Sequence, residues 1–217
     1  MSSCIQIDSV YLNFGAREIL RGVHLQMEKH QVTGLLGRNG SGKSCLLKII
    51  TGQLQAQSKH LRHAGQAVDH LYRKKGLINY LPQHEFHPIW LTQQQLLQFY
   101  ELQPGEFYTQ YPFLKKNHHR KFSRLSGGER RLLEVLLVLE AATEFSILDE
   151  PFTQLMPTQV ELLQTRIQQL KDRKGLLLTD HQYQNVMKVA DVTHIISQGR
   201  AHLVTEPDDL KYYGYLR

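Results

Sequence analysis

Gly37-Arg38-Asn39-Gly40-Ser41-Gly42-Lys43-Ser44 gathers glycines, a lysine and a hydroxyl into one short segment with the spacing G-x-x-x-x-G-K-S. Each part serves to hold an anion. Glycines let backbone N–H groups converge on phosphate oxygens without Cβ clashes. A helix beginning at Lys43 would aim its positive dipole end at the same place. Lys43 can neutralise β- and γ-phosphates, and the Ser44 hydroxyl can ligate Mg2+. Further on, Ile147-Leu148-Asp149-Glu150 ends an apolar run in two carboxylates. By itself that ending is as readily an ordinary turn. Downstream of a phosphate loop it reads as the other half of one site. Asp149 then suits Mg2+, held directly or through water, and Glu150 suits polarising the attacking water as general base. Leu125-Ser126-Gly127-Gly128-Glu129 is the third cluster. Ser126 can cap a helix, with Glu129 completing a capping box. The same residues can also form a second anion site at that helix N-terminus.

These groups need strands and helices to hold them. Residues 31–36 form a short apolar run that feeds the Gly-rich loop, as a strand buried on both faces would. Residues 43–50 read as a helix closed by Gly52. Residues 5–14 and 18–27 alternate apolar and polar, the pattern of half-buried strands. Residues 59–68 are a weak strand and turn, and residues 76–81 are another strand, stopped by Pro82. Residues 91–102 are helical, whereas residues 100–122 mix aromatics, prolines and basic residues without clear period. A strong helix starts at Ser126 and runs through Leu139. Strands at 145–148 and 176–179 bracket a helix at 157–171. A helix at 182–190 follows, and strands 193–197 and 201–204 flank a Gln198-Gly199 turn as a hairpin.

Of the 217 residues, 41% are apolar, enough for a sizeable core, and no run approaches the roughly 20 apolar residues of a membrane-spanning helix. The opening residues 1–8 lack the basic start and apolar stretch of a secretory signal. Cys4 and Cys45 are too few and too isolated for a disulfide framework and suit a reducing cytoplasm. A net charge of +6 suits nucleic acid or an anionic membrane surface in principle. No Lys/Arg run is long enough to read as a binding tract, so direct nucleic-acid binding is not expected. The 12 histidines lack the Cys/His spacing of a zinc site and read as surface or partner-facing positions.

With these three motifs in this order, the sequence resembles the ATP-binding cassette (ABC) ATPase family, of nucleotide-binding subunit type, over nearly its whole length. The resemblance implies an α/β fold: a P-loop NTPase (RecA-like) core with an antiparallel β subdomain and a short helical signature subdomain. Residues 1–217 would form one ABC ATPase domain. Residues 1–82 and 143–217 would supply the β subdomain and nucleotide-binding core, and 83–142 the Q-loop and helical part. The Gly-rich loop matches the family's Walker A motif, which implies nucleotide contacts from Gly37, Arg38, Asn39, Gly40, Ser41, Gly42, Lys43, Ser44 and the adjoining Cys45. Phe14 stands where the family stacks an aromatic on adenine, with Tyr11 as the other candidate. Gln83, after Leu81-Pro82, matches the Q-loop glutamine that reaches Mg2+ and the attacking water. Asp149 and Glu150 match the Walker B aspartate and the catalytic glutamate. Ser126, Gly127, Gly128 and Glu129 match the signature that contacts ATP held by the other protomer. His181, in Leu178-Thr179-Asp180-His181, matches the switch histidine. The implied catalytic set is Glu150, His181, Gln83 and Lys43; the implied metal set is Ser44, Gln83 and Asp149; the implied cofactors are ATP and Mg2+.

By resemblance, two cassettes sandwich two ATP molecules head to tail, as a homodimer or with a paired ABC subunit. They would drive a separate membrane-spanning permease from the cytoplasm, at the inner face of the membrane. A second reading is a non-transport ABC ATPase, such as one serving iron–sulfur cluster assembly. A third is a cassette that binds ATP without useful turnover. The Thr179-Asp180-His181 stretch and the ending Ser197-Gln198-Gly199-Arg200 are similar to cassettes of the lipopolysaccharide-export and branched-chain amino-acid type. The chain departs from the family in places. Thr153-Gln154-Leu155-Met156 puts methionine where the D-loop carries aspartate, and His30 replaces a common turn glycine. The helix after the signature reads Leu136-Leu137-Val138-Leu139-Glu140 in place of an Ala-Arg-Ala-Leu ending. The 83–125 segment, where the family's partner docks, is short and basic.

Overall fold

The computed structural model describes residues 3–116 and 118–216, so Met1 and Ser2 of the opening stretch lie outside the described residues. β1 (Cys4–Phe14) and β2 (Arg17–Glu28) pair antiparallel, with Ile7 opposite Leu25 and Leu12 opposite Leu20. Their buried positions fall largely at every second residue, which is why their sequences alternate. β3 (Val32–Gly37) is buried at every position, and Thr33 is its one polar side chain. α1 (Lys43–Ile50) follows the Gly-rich loop and turns Leu46, Leu47, Ile49 and Ile50 into the core. β4 (Ser58–His63) and β5 (Gln66–Ala67) complete a 4-stranded antiparallel sheet in the order β2-β1-β4-β5.

β6 (Ile78–Leu81) leads into α2 (Gln93–Phe99), α3 (Pro104–Gln110), α4 (Pro112–Lys115) and the longer α5 (Gly127–Glu140). The aperiodic stretch 100–122 thus holds two short helices, each with proline in its first turn, around buried Phe107, Tyr108, Tyr111 and Leu114. β7 (Phe145–Asp149), α6 (Pro157–Leu170), β8 (Gly175–Thr179) and α7 (Tyr183–Val189) alternate. They are followed by the hairpin of β9 (Val192–Ser197) and β10 (Arg200–Val204) and a last short helix, α8 (Asp209–Tyr212), which no sequence pattern announced. The second sheet is 6-stranded, in the order β10-β9-β3-β8-β7-β6, and all its pairings are parallel except that of the terminal hairpin.

Alternate residues of the central strands feed two cores. Ile147 and Leu177 pack toward α1 and the antiparallel sheet, while Leu148, Leu176 and Leu178 pack toward the helices. This sandwiching requires strands that are apolar on both faces, as β3, β7 and β8 are. At the turn before β3, His30 has φ 67, a left-handed conformation that glycine adopts at no steric cost. That explains a glycine preference at this position and means the histidine here carries some backbone strain.

Lys174 locks the carbonyl end of α5 to the sheet. It is 3% exposed, and its Nζ donates to the carbonyls of Leu139 and Ala141, both at 2.8 Å, and to Ser146 Oγ at 3.1 Å. Burial pushes its pKa down to about 8 from an ordinary 10.5. A lysine with a lower pKa folded than unfolded binds fewer protons in the folded state, so stability rises with pH between those two values. The difference in unfolding free energy between the wild type and Lys174→Met should therefore shift by about 3 kcal/mol in favour of the wild type across pH 8 to 10.5 and stay constant below pH 8. Parallel curves throughout would contradict the shift.

Candidate functional site

β3, β8, β7 and β6 lie side by side and parallel, so their carboxyl ends share one edge of the sheet. That edge is where open α/β sheets bind ligands. From β3 emerges the Gly-rich loop, from β8 Asp180 and His181, from β7 Glu150, and from β6 Pro82 and Gln83. Motifs more than a hundred residues apart are thereby brought to one cleft of about 570 Å³. Phe14, Asn39, Gly40, Ser41, Gly42, Lys43, Ser44, Cys45, Gln83, Glu150 and His181 line it, together with Arg17 and Ile19. Phe14 lies at the cleft with 54% of its surface exposed, whereas Tyr11 leans its ring over Gly22.

The loop needs its glycines. Gly42, at the N-cap of α1, has φ 104, and a Cβ there would stand 2.8 Å from Leu20 Cδ2. At Gly37, φ 151, a Cβ would stand 2.6 Å from Ser41 Oγ and 2.9 Å from the Ile196 carbonyl. Within the loop, Ser41 Oγ is buried without a hydrogen-bond partner among the described residues. Lys43 Nζ donates to the Gly37 carbonyl at 2.6 Å and the Arg38 carbonyl at 3.3 Å. Burial pushes the Lys43 ammonium below its ordinary pKa, while Glu150, Asp149 and Asp180 pull it back up. A cationic group and an orphaned donor, set on a glycine-lined loop at a helix N-terminus, are what a polyphosphate binds.

Ser44 Oγ donates to Asp149 Oδ1 at 3.3 Å, and Tyr80 Oη donates to Oδ2 at 3.2 Å. Asp149 is 1% exposed; burial raises its pKa, the two hydroxyl donors lower it, and Glu150 raises it again. Glu150 sits at φ 54, a strained conformation for a non-glycine residue and of a kind that clusters at active sites. Thr153 Oγ1 donates to Glu150 Oε2 at 3.3 Å, and His181 Nδ1 lies 3.6 Å from the same oxygen. Asp180 is fully buried and accepts from the N–H groups of Phe152 at 3.0 Å and Gln182 at 3.0 Å, tying the His181 turn to the turn after Glu150.

Ser126 caps α5 as its sequence foretold. Its hydroxyl accepts from the Glu129 N–H, and Glu129 Oε2 accepts from the Ser126 N–H at 2.8 Å. This helix end lies against the turn at Gln154: a Cβ on Gly128 would stand 2.9 Å from the Gln154 carbonyl. Among the described residues, those lining the cleft do not include Ser126, Gly127, Gly128 or Glu129.

The ABC transporter family model matches residues 20–153. The chain belongs to the ABC transporter family. It is 31% identical over 208 residues to a probable branched-chain amino acid transport ATP-binding protein, LivF, of Archaeoglobus fulgidus, covering 88% of each chain. It is 29% identical to the lipopolysaccharide export system ATP-binding protein LptB of Acidithiobacillus ferridurans, over 97% of this chain and 93% of that one. A solved structure of an ATP-binding subunit of an ABC transporter shares the fold, with a TM-score of 0.82 at 21% identity, covering 97% of this chain and 93% of that one. The cassette is thus an ATP-binding chain and an ATPase of the transport-associated kind, and these relatives favour that reading over the iron–sulfur alternative.

Several residues of the cassette's site were not evident from spacing. Tyr80, Thr153 and Asp180 act through hydrogen bonds on neighbouring turns, which leave no periodic trace. Arg131 and Glu134 left one: both are charged, yet they fall in the run 131–139 of α5, which is buried throughout. Met156 has a local cost. It is the N-cap of α6, where Gln159 Oε1 accepts from its N–H at 3.0 Å, but its thioether is a far weaker acceptor for the first-turn N–H groups than a Ser, Thr, Asp or Asn oxygen. Met156→Asp is expected to raise stability by about 1 kcal/mol, read as a higher denaturant midpoint at unchanged slope. An unmoved midpoint would show that the cap is satisfied some other way.

Proposed function

We propose that this cassette hydrolyses ATP as half of a head-to-tail pair and passes the motion to a separate membrane-spanning partner. The observation that carries the pairing is the split between the cleft, with the Gly-rich loop, Gln83, Glu150 and His181, and the capped α5 terminus with Ser126, Gly127 and Gly128. A second copy, or a paired ABC subunit, would offer its Ser126-to-Glu129 turn to the ATP on this loop. Lys43 and the loop N–H groups hold the phosphates, with flanking contacts from Arg38, Asn39 and Cys45, and Phe14 faces the adenine. Glu150 takes the proton of the attacking water, Gln83 orients that water, and His181 stands across from Glu150 at the γ-phosphate end.

Ser44 Oγ, the Asp149 carboxylate and the Gln83 amide are hard oxygen donors, the set that Mg2+ prefers, and Asp149 is buried beside Ser44. Bound there, Mg2+ would neutralise charge on the phosphate oxygens.

Residues 83–142 form the helical subdomain in this reading, and 1–82 with 143–217 the rest. Just past Gln83, the side chains of Phe86, Ile89 and Trp90 are 41%, 55% and 66% exposed, an apolar patch suited to a partner's helix. Among the described residues no helix is long and apolar enough to cross a membrane. In this reading the cassette sits at the inner membrane face through a permease, as the transport names of LptB and LivF support. Tagged protein drawn from detergent-solubilised membranes should carry a multi-span protein with it, and Trp90→Glu should lose it. Recovery of soluble partners alone would favour the non-transport reading.

A further inference from the structure

Arg131, on α5, is 4% exposed and stands where three elements meet. Its NH2 group donates to the main-chain carbonyls of Asp149 at 2.7 Å and Glu150 at 2.9 Å, and its NH1 group to that of Pro82 at 2.9 Å. Those carbonyls belong to the proposed metal ligand, to the proposed base and to the residue before Gln83. Glu150 is held at φ 54, so its backbone needs an external partner to stay there. On its other side the guanidinium faces the fully buried Glu134, with NH1 3.6 Å from Oε2. Glu134 Oε1 in turn lies 3.0 Å from His87 Nδ1 and accepts from the Phe86 N–H at 3.2 Å. His87 Nε2 lies 2.9 Å from Tyr100 Oη. A buried polar chain therefore runs from the exposed Phe86 to the backbone of Glu150. Arg131 Nε and Glu134 Oε2 have no hydrogen-bond partner among the described residues, so the guanidinium is held by its three carbonyl hydrogen bonds and by the charge of the facing Glu134.

We infer that Arg131 is a positioning residue for hydrolysis: it fixes the backbone that aims Glu150 and ties it to the segment bearing Gln83, so that the two shift together. The inference rests on the roles proposed above for Glu150 and Gln83. A rigid, planar guanidinium can span three carbonyls at fixed angles, which a lysine ammonium cannot. A misplacement of about 1 Å at the reacting groups costs roughly 100-fold in rate.

Removing Arg131 alone would leave Glu134 buried and uncompensated, so the test pairs Arg131→Met with Glu134→Gln. ATP turnover and the affinity for a fluorescent ATP analogue are measured in the double variant, in Glu134→Gln, in Arg131→Lys and in Glu150→Gln. The double variant should lose about 10- to 100-fold in kcat with analogue affinity kept within about threefold. Glu134→Gln, which keeps Arg131 and its three carbonyl partners, should lose less kcat than the double variant, and Arg131→Lys should recover part of the loss. A folded double variant with wild-type kcat overturns the inference, as does a loss of kcat matched by an equal loss of affinity. If the double variant does not fold, Arg131→Lys decides: lower kcat at unchanged affinity supports positioning, and unchanged kcat refutes it. A Glu150→Gln protein that still turns over at the wild-type rate would instead sink the underlying role of Glu150.

Discussion

Glu150→Gln is expected to lower kcat for ATP hydrolysis by about 100- to 10,000-fold, the usual contribution of a positioned general base, while ATP binding is retained or tightened. The substitution keeps the shape and the Thr153 contact but removes the carboxylate that would accept the proton. It also removes one of the carboxylates clustered with Asp149 and Asp180, so Asp149 loses a neighbour that raises its pKa, and a polyphosphate meets less negative charge. Hydrolysis should therefore stop after assembly, and the variant should accumulate with ATP bound. Single-turnover kinetics and retention of labelled ATP read both halves. Near-wild-type turnover would remove Glu150 from the chemistry.

Lys43→Met is expected to weaken ATP binding by about 30- to 100-fold, on the scale of about 2–3 kcal/mol for charge-assisted contacts to phosphate. Stability without nucleotide should move much less. Burial already penalises the ammonium, and its main-chain partners, Gly37 and Arg38, lie in the loop itself. The clearest readout is the rise in melting temperature that ATP produces, which should shrink sharply in Lys43→Met because only a bound ligand contributes it. An undiminished rise would mean that the loop N–H groups hold the phosphates without the lysine.

The parts of this site that could be read from the sequence share one property: their chemistry depends on local spacing. The Gly-rich loop needs glycines at set positions, the capping box of Ser126 and Glu129 spans a single turn, and β3, β7 and β8 are mostly apolar because both faces are covered. Helices α3 and α4 were hidden because each is too short to show a period, although Pro104 and Pro112 mark their first turns. Asp180 and Tyr80 were hidden for another reason. Their partners, the Phe152 N–H and the Asp149 carboxylate, come close only after the parallel strands are aligned. Arg131 was the most legible of the missed residues, since a guanidinium in the buried stretch of a helix must find acceptors, and it finds three carbonyls. The departure at Met156 was plain in the sequence, but its physical meaning, a helix cap with only a thioether to offer the first turn, required the position of α6.

The separation of the cleft from the Ser126 turn makes one claim central: the loop and the signature of a single chain serve different nucleotides. Mixing two inactive variants tests it. Lys43→Met keeps the signature and loses the loop; Ser126→Arg keeps the loop and blocks the signature. Each alone should hydrolyse ATP poorly. Mixed, some pairs would join the intact loop of one chain to the intact signature of the other, and part of the wild-type ATPase activity should return. If both motifs completed one site within a chain, every site in the mixture would remain broken, and activity that stays at the level of the separate variants would contradict the account.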